Sequence, residues 1–456
     1  MAELDLSRPR QLHIVGVGGT GMSAIATALA AMGHHVTGSD IKSSAGFERL
    51  RSLGVTTFVG HDASHLAGAE VVTVSTAIPP NNLEVVEAQR RGIPVLRRAE
   101  TLSAITAARP TISIAGTHGK TTTASMLALV LLEGGLRPSY IIGGDINEVG
   151  AGAAWGDGPW LVVEADESDG TFLELHTSLA VLTSVAPDHL EHYGSMATLE
   201  NAFARFLDGA GAGRIVCADD AVALRLGREG GALTYGTSAE ADYRITDVST
   251  ARSSSRFTLV TGGTGLGEVR LAVPGVHNAR NACGALAVAL SIDVPFEVAR
   301  RALGRYGGVA RRFEFRGERG GVTYVDDYAH LPGEVASTLE AAAAGGWNRI
   351  IAVFQPHRYS RTATIWAEFA DAFVGADRLV ITEIYAAGEA PRPGVSGRLI
   401  LEAVLNAHPE QAAVFLPGRQ EVVDYLKKIL QPGDLCLTLG AGDLTVVPDE
   451  LMAETA

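Results

Sequence analysis

The chain has 456 residues, of which 46% are hydrophobic and 19% are charged, and its formal net charge is −14. This composition is typical of folded globular proteins and excludes extensive disorder, and the length suits about three domains of ordinary size. The negative net charge argues against a nucleic-acid partner, because nucleic-acid surfaces gather lysine and arginine against phosphates.

Short β-branched runs alternate with helical stretches rich in alanine and leucine along the whole chain. This alternation predicts an α/β protein with largely parallel sheets. The pattern restarts twice, so we expect three domains, at residues 1–108, 109–308 and 309–456. In chain order, strands are predicted at residues 11–18, 35–40, 71–76, 93–98, 111–116, 160–166, 179–185, 322–328, 349–355, 378–385, 413–417 and 434–443, and helices at residues 22–33, from 121 and from 277.

The first predicted strand runs into the glycine turn GVGGTG at residues 16–21, which an alanine-rich helix follows. Gly16 fits the tight turn, Gly18 allows the backbone to approach a diphosphate, and Gly21 permits close packing of the helix. Asp40 ends the next predicted strand. A nicotinamide dinucleotide is the usual ligand of this pattern, but any diphosphate satisfies the same chemistry. A strand–helix turn without a ligand remains the alternative.

The second domain begins with a strand that runs into AGTHGKTTT at residues 115–123. Its glycines, Lys120 and Thr121 are similar to a phosphate loop, in which the lysine contacts the β- and γ-phosphates and the hydroxyl reaches Mg²⁺. The match is not a strict Walker A motif, because Ile114 stands where that spacing requires glycine or alanine. The position between an apolar strand and a helix favours a nucleotide site over a chance match.

Four carboxylates follow the next predicted strand in VVEADESDG at residues 162–170, beginning with Glu164. Holding them together is unfavourable without cations, so beside a phosphate loop the cluster favours Mg²⁺ binding over a solvated acidic turn. Another strand ends near His189, which is a candidate for a second metal ligand. Asn278 and Asn281 lie where an alanine-rich helix begins, and they can contact a nucleotide base or cap the helix.

The third domain carries histidines and arginines at predicted strand ends, in RRF, DDYAH and FQPHRYSRT. The last motif places His357, Arg358 and Arg361 in the loop after an apolar strand. Arginines gathered at strand ends suit the recognition of carboxylates or phosphates. Each of these residues alone is compatible with an ordinary surface position, whereas the set of three favours an anion site.

The three cysteines are far apart and include no C-x-x-C pair, so we expect neither a disulfide framework nor a cysteine metal site. The first ten residues lack the apolar core of a signal peptide, and no run of about 18 apolar residues occurs, so we expect no membrane insertion. We expect a cytoplasmic protein that is a monomer or a weak homodimer.

Nine motifs in order over nearly the whole chain resemble the Mur ligase family, the ATP-dependent amide-bond-forming enzymes of peptidoglycan synthesis. The motifs are GVGGTGMSAIA, AGTHGKTTT, EADESDG, DHLEHYGS, HNARNACGA, ARRF, VDDYAH, FQPHRYSRT and AAGEAP. The resemblance implies an N-terminal Rossmann-like domain, a central P-loop ATPase-like domain with a mostly parallel sheet, and a C-terminal Rossmann-like domain for amino-acid binding and closure. It implies that UDP-N-acetylmuramate and L-alanine are joined through an acyl phosphate formed from ATP, with Mg²⁺, or Mn²⁺ in its place.

The resemblance also implies a role for each residue that matches a family motif. It implies UDP-N-acetylmuramate binding by Gly16, Gly18, Gly19, Thr20, Gly21, Asp40 and Ser75, and further substrate contacts by Asp326, His330, Arg358 and Arg361. It implies ATP binding by Gly116, Thr117, His118, Gly119, Lys120, Thr121, Thr122, Asn278, Asn281 and Arg312. It implies metal ligation by Thr121, Glu164 and His189, and a catalytic group of Lys120, His189, His330, His357 and Arg358.

Several sister ligases use a carbamylated lysine of the central domain as a Mg²⁺ bridge. This chain has no lysine between Lys120 and Lys427, which excludes that device and agrees with the alanine-adding branch of the family. Ala310 and Ala329 stand where the family pattern has glycine, and Leu331 stands where it has a second histidine. None of these three positions carries an implied role.

Three alternatives stay open from the sequence alone. A recycling ligase of the same family, which attaches a preformed tripeptide to UDP-N-acetylmuramate, has similar motifs, although Met22 and Ser23 after the glycine turn favour the alanine branch. An NAD-dependent oxidoreductase explains the first glycine turn but gives the second turn no role. A non-enzymatic ATP-driven regulator explains the phosphate loop but not the arginines of the third domain.

Overall fold

The structure is a computed structural model that describes residues 4–43, 45–75, 77–147 and 149–453. It divides into two compact units, of which the first comprises residues 1–247, 257–269 and 280–306, and the second residues 248–256, 270–279 and 307–456. Three mostly parallel sheets occur in the described part of the chain, which confirms the predicted three-domain α/β fold. The boundaries at residues 108 and 308 stay predictions.

The N-terminal sheet has five parallel strands in the order β3-β2-β1-β4-β5. Its strands are β1 (Gln11–Val15), β2 (His35–Asp40), β3 (Thr56–Val59), β4 (Val71–Val74) and β5 (Val95–Arg97), and its helices are α1 (Thr20–Ala31), α2 (Ala45–Ser52), α3 (Leu83–Arg90) and α4 (Arg98–Ala107). The strand predicted at 71–76 ends at Val74, and Thr76 lies outside the described residues. Because side chains alternate along a strand, Leu12 and Ile14 share one core cluster and Val15 belongs to another.

The central sheet has ten strands in the order β15-β14-β13-β12-β11-β10-β6-β9-β7-β8. Its strands are β6 (Thr111–Ala115), β7 (Ser139–Ile146), β8 (Ala151–Ala154), β9 (Leu161–Glu164), β10 (Leu179–Leu182), β11 (Gly213–Cys217), β12 (Leu233–Gly236), β13 (Tyr243–Ala251), β14 (Ser254–Thr261) and β15 (Thr264–Leu271). The helices of this region are α5 (Lys120–Glu133), α6 (Leu190–Tyr193), α7 (Met196–Asp208), α8 (Ala221–Glu229), α9 (Val276–Ser291) and α10 (Phe296–Leu303).

The middle of this sheet is parallel, and β6 lies between β10 and β9. The phosphate-loop sequence therefore leaves the carboxyl edge of a central strand, which is where open α/β sheets place their ligands. At one edge β8 runs antiparallel to β7. The sequence patterns do not predict this hairpin, because β8 consists only of glycine and alanine, which have low β propensity.

The C-terminal sheet has six strands in the order β16-β17-β21-β18-β19-β20, of which only the β16–β17 pair is antiparallel. Its strands are β16 (Glu314–Arg319), β17 (Val322–Asp327), β18 (Ile350–Phe354), β19 (Arg378–Ile381), β20 (Ala413–Phe415) and β21 (Leu435–Leu439). Its helices are α11 (Pro332–Ala343), α12 (Tyr359–Ile365), α13 (Arg398–Ala407), α14 (Arg419–Ile429) and α15 (Val447–Ala453). The inner strands β18 and β21 are buried throughout, as expected for strands covered on both faces.

The first two sheets share one hydrophobic core. Leu12 and Ile14 of β1 belong to the same buried cluster as Leu161 and Val163 of β9. The alanine-rich helix α1 contacts β7 and β8 of the central sheet as well as its own domain. The two glycine turns are therefore parts of one packed unit. Within the described part of the chain, no helix is long and apolar enough to cross a membrane.

Candidate functional site

The first glycine turn connects β1 to α1, and the end of β2 holds it in place. The amide of Gly16 donates to the carbonyl of Ser39 at 2.8 Å, and the amide of Gly18 donates to Oδ2 of Asp40 at 2.9 Å. Gly16 has a φ of +85°, and a Cβ at this position would lie 3.2 Å from Cβ of Ser75. Gly16, Gly18, Asp40 and Ser75 are therefore brought together at the carboxyl edge of the first sheet.

Gly19, Thr20 and Gly21 form the start of α1. Among the described residues no side chain caps the N-terminus of this helix. The amides of its first turn are therefore available to a ligand, and the positive end of the helix dipole lies at the same place. A helix start of this kind is a favourable place for a phosphate group. The geometry suits a diphosphate, whichever nucleoside carries it.

The phosphate loop at residues 116–119 connects β6 to α5. Gly116 and Gly119 have φ values of +131° and +81°, a region that favours glycine. A Cβ on Gly116 would lie 2.2 Å from Oγ1 of Thr183, and a Cβ on Gly119 would lie 2.5 Å from Oδ1 of Asn281. Both glycines are required by the close packing of the loop, and Asn281 is placed directly beside it.

The remaining loop residues are tied to the segment that follows β10. The amide of Thr117 donates to the carbonyl of Ser184 at 3.0 Å, and the amide of His118 donates to the Ser184 hydroxyl at 2.9 Å. Thr122 is buried in the first turn of α5. These contacts fix the shape of the loop without using the amides at the start of α5.

Lys120 is the first residue of α5, and its side chain is mostly buried. Its Nζ donates to the carbonyl of Gly116 at 2.7 Å and to Oε1 of Glu167 at 2.9 Å. Burial alone lowers the pKa of Lys120, but Glu167 and the neighbouring carboxylates outweigh this effect and raise the pKa above its usual value. Lys120 is therefore a cation at any physiological pH.

Two oxygen donors lie together beside Lys120. The hydroxyl of Thr121 donates to Oε1 of Glu164 at 2.7 Å, and the amide of Gly143 donates to the other carboxylate oxygen at 2.6 Å. Within the described residues, no group of three or more His, Cys, Asp or Glu side chains is arranged to hold a metal. Mg²⁺ is commonly held by one or two protein oxygens together with substrate phosphates and waters, so Thr121 and Glu164 fit this ion.

The predicted metal ligand His189 lies at the start of α6 with a φ of +52°. Its Nε2 lies 3.2 Å from Oδ2 of Asp188. The structure does not group His189 with Glu164 as a metal cluster of the described residues, so its role as a ligand stays a prediction.

The carboxylates at and after the end of β9 do not form a single cluster, because they have three different partners. Glu164 contacts Thr121, Glu167 contacts Lys120, and Asp166 and Asp169 lie 3.5 and 3.6 Å from Nη2 of Arg98. Burial raises the pKa of Asp166, but Lys120, the Ser168 amide and Arg98 outweigh it and hold the pKa below its usual value.

Arg98 is a site residue that sequence reasoning missed. Its Nη1 lies 3.0 Å from where a Cβ on Gly21 would stand, so the guanidinium borders the start of α1 as well as the acidic segment. It thus places a positive charge between the start of α1 and the acidic segment. The only sequence signal is the pair of arginines at the end of β5, which has no motif spacing.

Asn278 lies in the first turn of α9, and its side chain is bound to the segment before the helix. Its Nδ2 donates to the carbonyl of Pro274 at 2.6 Å, and the side chain is buried. This bond is not a helix cap, because a capping side chain accepts from an amide of the first turn. A base contact by Asn278 stays a prediction, whereas Asn281 already lies beside the phosphate loop.

In the second unit, the ring of His357 lies between two other aromatic rings, 5.7 Å from His330 and 5.8 Å from Tyr385. Nη1 of Arg361 lies 3.2 Å from Nδ1 of His357. Burial, together with His330, Arg361 and Arg358, lowers the pKa of His357 to about 3. Since an arginine can only donate, Nδ1 accepts, and the neutral ring carries its proton on Nε2.

Arg358 has a φ of +68°, which is uncommon for a residue with a long side chain. Its amide donates to the carbonyl of Tyr385 at 2.9 Å, which holds the backbone in this strained form. Arg312 stands 5.2 Å above the ring of Tyr328, and His330 lies 3.2 Å from Oε2 of Glu334. These predicted residues thus occur in one region of the C-terminal domain.

Asp326, which we expected to contact a substrate, is 1% exposed and points into its own domain. Its carboxylate accepts from Nε of Arg311 at 3.2 Å and from the hydroxyls of Thr438 and Thr445 at 2.6 and 2.7 Å. The next residue, Asp327, is also buried, and burial raises its pKa to about 6. A substrate contact by Asp326 therefore stays a prediction with structural evidence against it.

Three family models match the chain in sequence order. The model for the Mur ligase family catalytic domain matches residues 11–110, the Mur ligase middle domain matches residues 114–289, and the model described as Mur ligase, glutamate ligase domain, matches residues 311–442. Together they cover most of the chain.

The chain is similar over almost its full length to two curated relatives, each named UDP-N-acetylmuramate–L-alanine ligase. It is 44% identical to the protein of Geobacter sulfurreducens, with 95% of each chain covered, and 42% identical to that of Pelotomaculum thermopropionicum, with 98% of each covered. Among solved structures, UDP-N-acetylmuramate–alanine ligase of Thermotoga maritima superposes with a TM-score of 0.83 at 28% identity, covering 97% of this chain and 98% of the other. A murein peptide ligase of Psychrobacter arcticus shares the fold, with a TM-score of 0.72 at 24% identity and coverage of 98% and 100%.

Proposed function

The chain belongs to the Mur ligase family, and from this premise we propose that it joins L-alanine to the carboxylate of UDP-N-acetylmuramate with ATP, giving ADP and phosphate. One observation carries the proposal: a single compact unit contains two glycine turns that suit two different phosphate ligands. The turn beside Asp40 suits the diphosphate of a sugar nucleotide, and the turn with Lys120 suits ATP. An NAD-dependent oxidoreductase leaves the second turn without a role.

The relatives support L-alanine over a preformed tripeptide as the amine substrate. Those named as L-alanine ligases are 42–44% identical over at least 95% of the chain. The murein peptide ligase is less similar, and at 24% identity it supports the fold alone. The alanine reaction is therefore the better-supported member of the two family activities.

The first chemical step activates a carboxylate, which is a poor acyl donor. A carboxylate oxygen of UDP-N-acetylmuramate attacks the γ-phosphorus of ATP, the bond to the β-phosphate oxygen breaks, and an acyl phosphate and ADP form. Lys120 contacts the phosphates and offsets their charge, and the loop glycines let the backbone approach them. Mg²⁺, when held by Thr121 and Glu164, supplies further positive charge to the phosphates.

In the second step the neutral amine of L-alanine attacks the acyl carbon, the C–O bond to phosphate breaks in the tetrahedral intermediate, and the proton lost by nitrogen passes to the leaving phosphate or to water. The C-terminal domain supplies Arg358, Arg361 and His357 for the amino-acid carboxylate. His357 is neutral with its proton on Nε2, so it suits a hydrogen-bond donor rather than a general base. These residues act by positioning L-alanine for attack, and no side chain of the protein forms a covalent bond with the substrates.

Phosphate release from ATP tests the proposed function. We expect release only when UDP-N-acetylmuramate and L-alanine are both present with Mg²⁺, and loss of release with excess EDTA. NADH turnover, or ATP hydrolysis indifferent to both substrates, contradicts the proposal. Lys120→Ala is expected to abolish release while the thermal unfolding curve remains cooperative, and Lys428→Ala, at an exposed position of α14, is the matched control.

The remaining expectations are part of the same proposal. Mg²⁺ is the proposed metal, with Mn²⁺ as a substitute, and a metal titration of the rate tests both. The cytoplasm is the proposed compartment, supported by three buried free cysteines that suit a reducing environment. A monomer or a weak homodimer is proposed, and light scattering at several protein concentrations distinguishes the two.

A further inference from the structure

A buried carboxylate in the N-terminal domain has no role in the chemistry described above. Glu84, in the first turn of α3, is 0% exposed. Its Oε2 accepts from the hydroxyl of Ser39 at 2.6 Å and lies 2.9 Å from Nδ1 of His61, and its Oε1 lies 2.7 Å from Nδ1 of His65. Nε2 of His13 lies 3.6 Å from Oε1. These five residues are called the Glu84 cluster below.

A glutamate in the first turn of a helix is ordinarily solvated, and burying its charge is unfavourable unless several groups compensate it. Here burial on its own raises the pKa of Glu84, but the nearby ring of His13 and the hydrogen bonds from Ser39 and His65 outweigh it and lower the pKa to about 2. Glu84 is therefore an anion held by four neighbours. Within the described residues no group of His, Cys, Asp or Glu side chains is arranged to hold a metal, and His61 and His65 lie within hydrogen-bond distance of Glu84.

The cluster is connected to the first glycine turn through one residue. The side chain of Ser39 is bound to Glu84, while its carbonyl accepts from the amides of Gly16 and Val17 at 2.8 and 3.0 Å. Asp40, which follows Ser39, accepts from the amide of Gly18 at 2.9 Å. The end of β2 thus holds three successive amides of the turn.

Ser39 itself cannot move without breaking the hydrogen bonds that hold the glycine turn. It is 0% exposed, and it ends the parallel register of β1 with β2, where it pairs with Val15. Glu84 reaches it from α3, 45 positions further along the chain. A shift of Ser39 would displace Asp40 and the turn together, because the same backbone segment carries both contacts.

We propose that Glu84 is a positioning residue for the sugar-nucleotide site, which acts through Ser39 to fix the end of β2 and the glycine turn that this strand holds. The proposal rests on the proposed function in one respect, namely that this turn binds UDP-N-acetylmuramate. Glu84 does not contact the substrate. Loss of its contact with Ser39 raises the KM for UDP-N-acetylmuramate and not the KM for ATP or L-alanine.

Four variants test the proposal: Ser39→Ala, Ser39→Thr, Glu84→Gln and Thr73→Val. Ser39→Ala removes the link to the turn and leaves Glu84 with its histidines, so it avoids the unfolding that Glu84→Gln risks. Thr73→Val is the matched control, because Thr73 is also buried in this sheet and its hydroxyl contacts Thr101 at 2.9 Å, away from the turn.

For Ser39→Ala we expect the KM for UDP-N-acetylmuramate to rise about ten-fold, equivalent to about 1.4 kcal/mol, with the KM values for ATP and L-alanine unchanged. Glu84→Gln is expected to show the same selective rise, Ser39→Thr to restore most of the affinity, and Thr73→Val to lower the thermal midpoint alone. A folded Ser39→Ala enzyme with a wild-type KM for the sugar nucleotide, or with all three KM values raised together, overturns the proposal. Wild-type protein without ligase activity refutes the proposed function instead, so the two failures are distinct.

Discussion

The ammonium group of Lys120 lies 2.9 Å from both carboxylate oxygens of Glu167, whose side chain is 2% exposed. The same ammonium group donates to the carbonyl of Gly116 in the phosphate loop. In the proposed function Lys120 contacts a phosphate, so we expect nucleotide binding to exchange one anionic partner of the lysine, Glu167, for another. A carboxylate that sequence reasoning grouped with metal ligands is thus the resting partner of the loop lysine.

Glu167→Gln is expected to lower the thermal midpoint of the nucleotide-free protein by several degrees, because removing one partner of a buried ion pair costs about 3–5 kcal/mol. The same variant is expected to gain more stability from Mg-ADP than the wild type, because the phosphates then compensate a lysine that has lost its partner. Differential scanning fluorimetry with and without Mg-ADP measures both effects. Glu174→Gln, which removes a partly exposed ion pair with Arg97, serves as the control. An unchanged midpoint and an unchanged nucleotide shift contradict the exchange.

Gly116→Ala is expected to lower the free energy of unfolding by more than about 2 kcal/mol and to raise the KM for ATP, because strain at φ +131° adds to contacts with Thr183 and with the Ser184 backbone. Gly135→Ala is the matched variant. Gly135 also has a positive φ, +71°, but a Cβ there meets no atom within 4 Å among the described residues. It should cost only about 1 kcal/mol and leave the KM for ATP unchanged. Equal effects of the two variants on KM would mean that strain alone, and not the packing of the loop, governs ATP binding.

Asp326→Asn is expected to affect stability and not substrate affinity. The variant leaves Arg311 without its anionic partner inside the domain, and breaking such a pair costs about 3 kcal/mol or more. Urea denaturation and the three KM values measure the two effects separately, and Asp371→Asn, at an 85% exposed side chain, controls for the loss of one charge. A stable variant with a raised KM would restore the substrate role that the family resemblance implies for this residue.

The stability of the C-terminal domain is expected to depend on pH through His357. Its pKa is about 3 in the folded chain and about 6.5 as an ordinary histidine, so between these values the unfolded chain binds the extra proton. Stability is therefore complete above about pH 6.5 and is lost as the pH falls toward 3. The His357→Gln variant cannot bind this proton. The thermal midpoint of the wild type falls between about pH 7 and about pH 5, and in the variant this fall should be smaller by roughly 2–4 °C. This difference corresponds to about 1 kcal/mol of stability, after allowance for the partial exposure of His357. Identical pH profiles of the two proteins would show that His357 titrates normally.

The sequence predicts the parts of the fold that local chemistry controls. Strand β2 is predicted with its observed bounds, His35–Asp40, and α5 is predicted to begin within one residue of Lys120. The helix α5 combines an apolar run with a glycine boundary, and β2 follows Gly33 at the end of the preceding helix, so both elements are marked by neighbouring residues. The phosphate loop is predictable for the same reason.

The contacts that complete the site are not predictable in this way, because they join distant segments through single residues. Arg98 reaches Asp166 over 68 positions, and Glu84 reaches Ser39 over 45. The pair Asp326 and Asp327 shows a second limit. Successive side chains of a strand point to opposite faces, and the sequence alone does not say which aspartate points toward which layer.

The helix α1 packs on its own sheet and on β7 and β8, so the first glycine turn is anchored to the sheet that carries the phosphate loop. In the proposed function, the interval between the two phosphate-binding turns is therefore set by the folded chain and not by the ligands. We expect a sugar nucleotide to be a good substrate only if the span from its diphosphate to its carboxylate matches this interval.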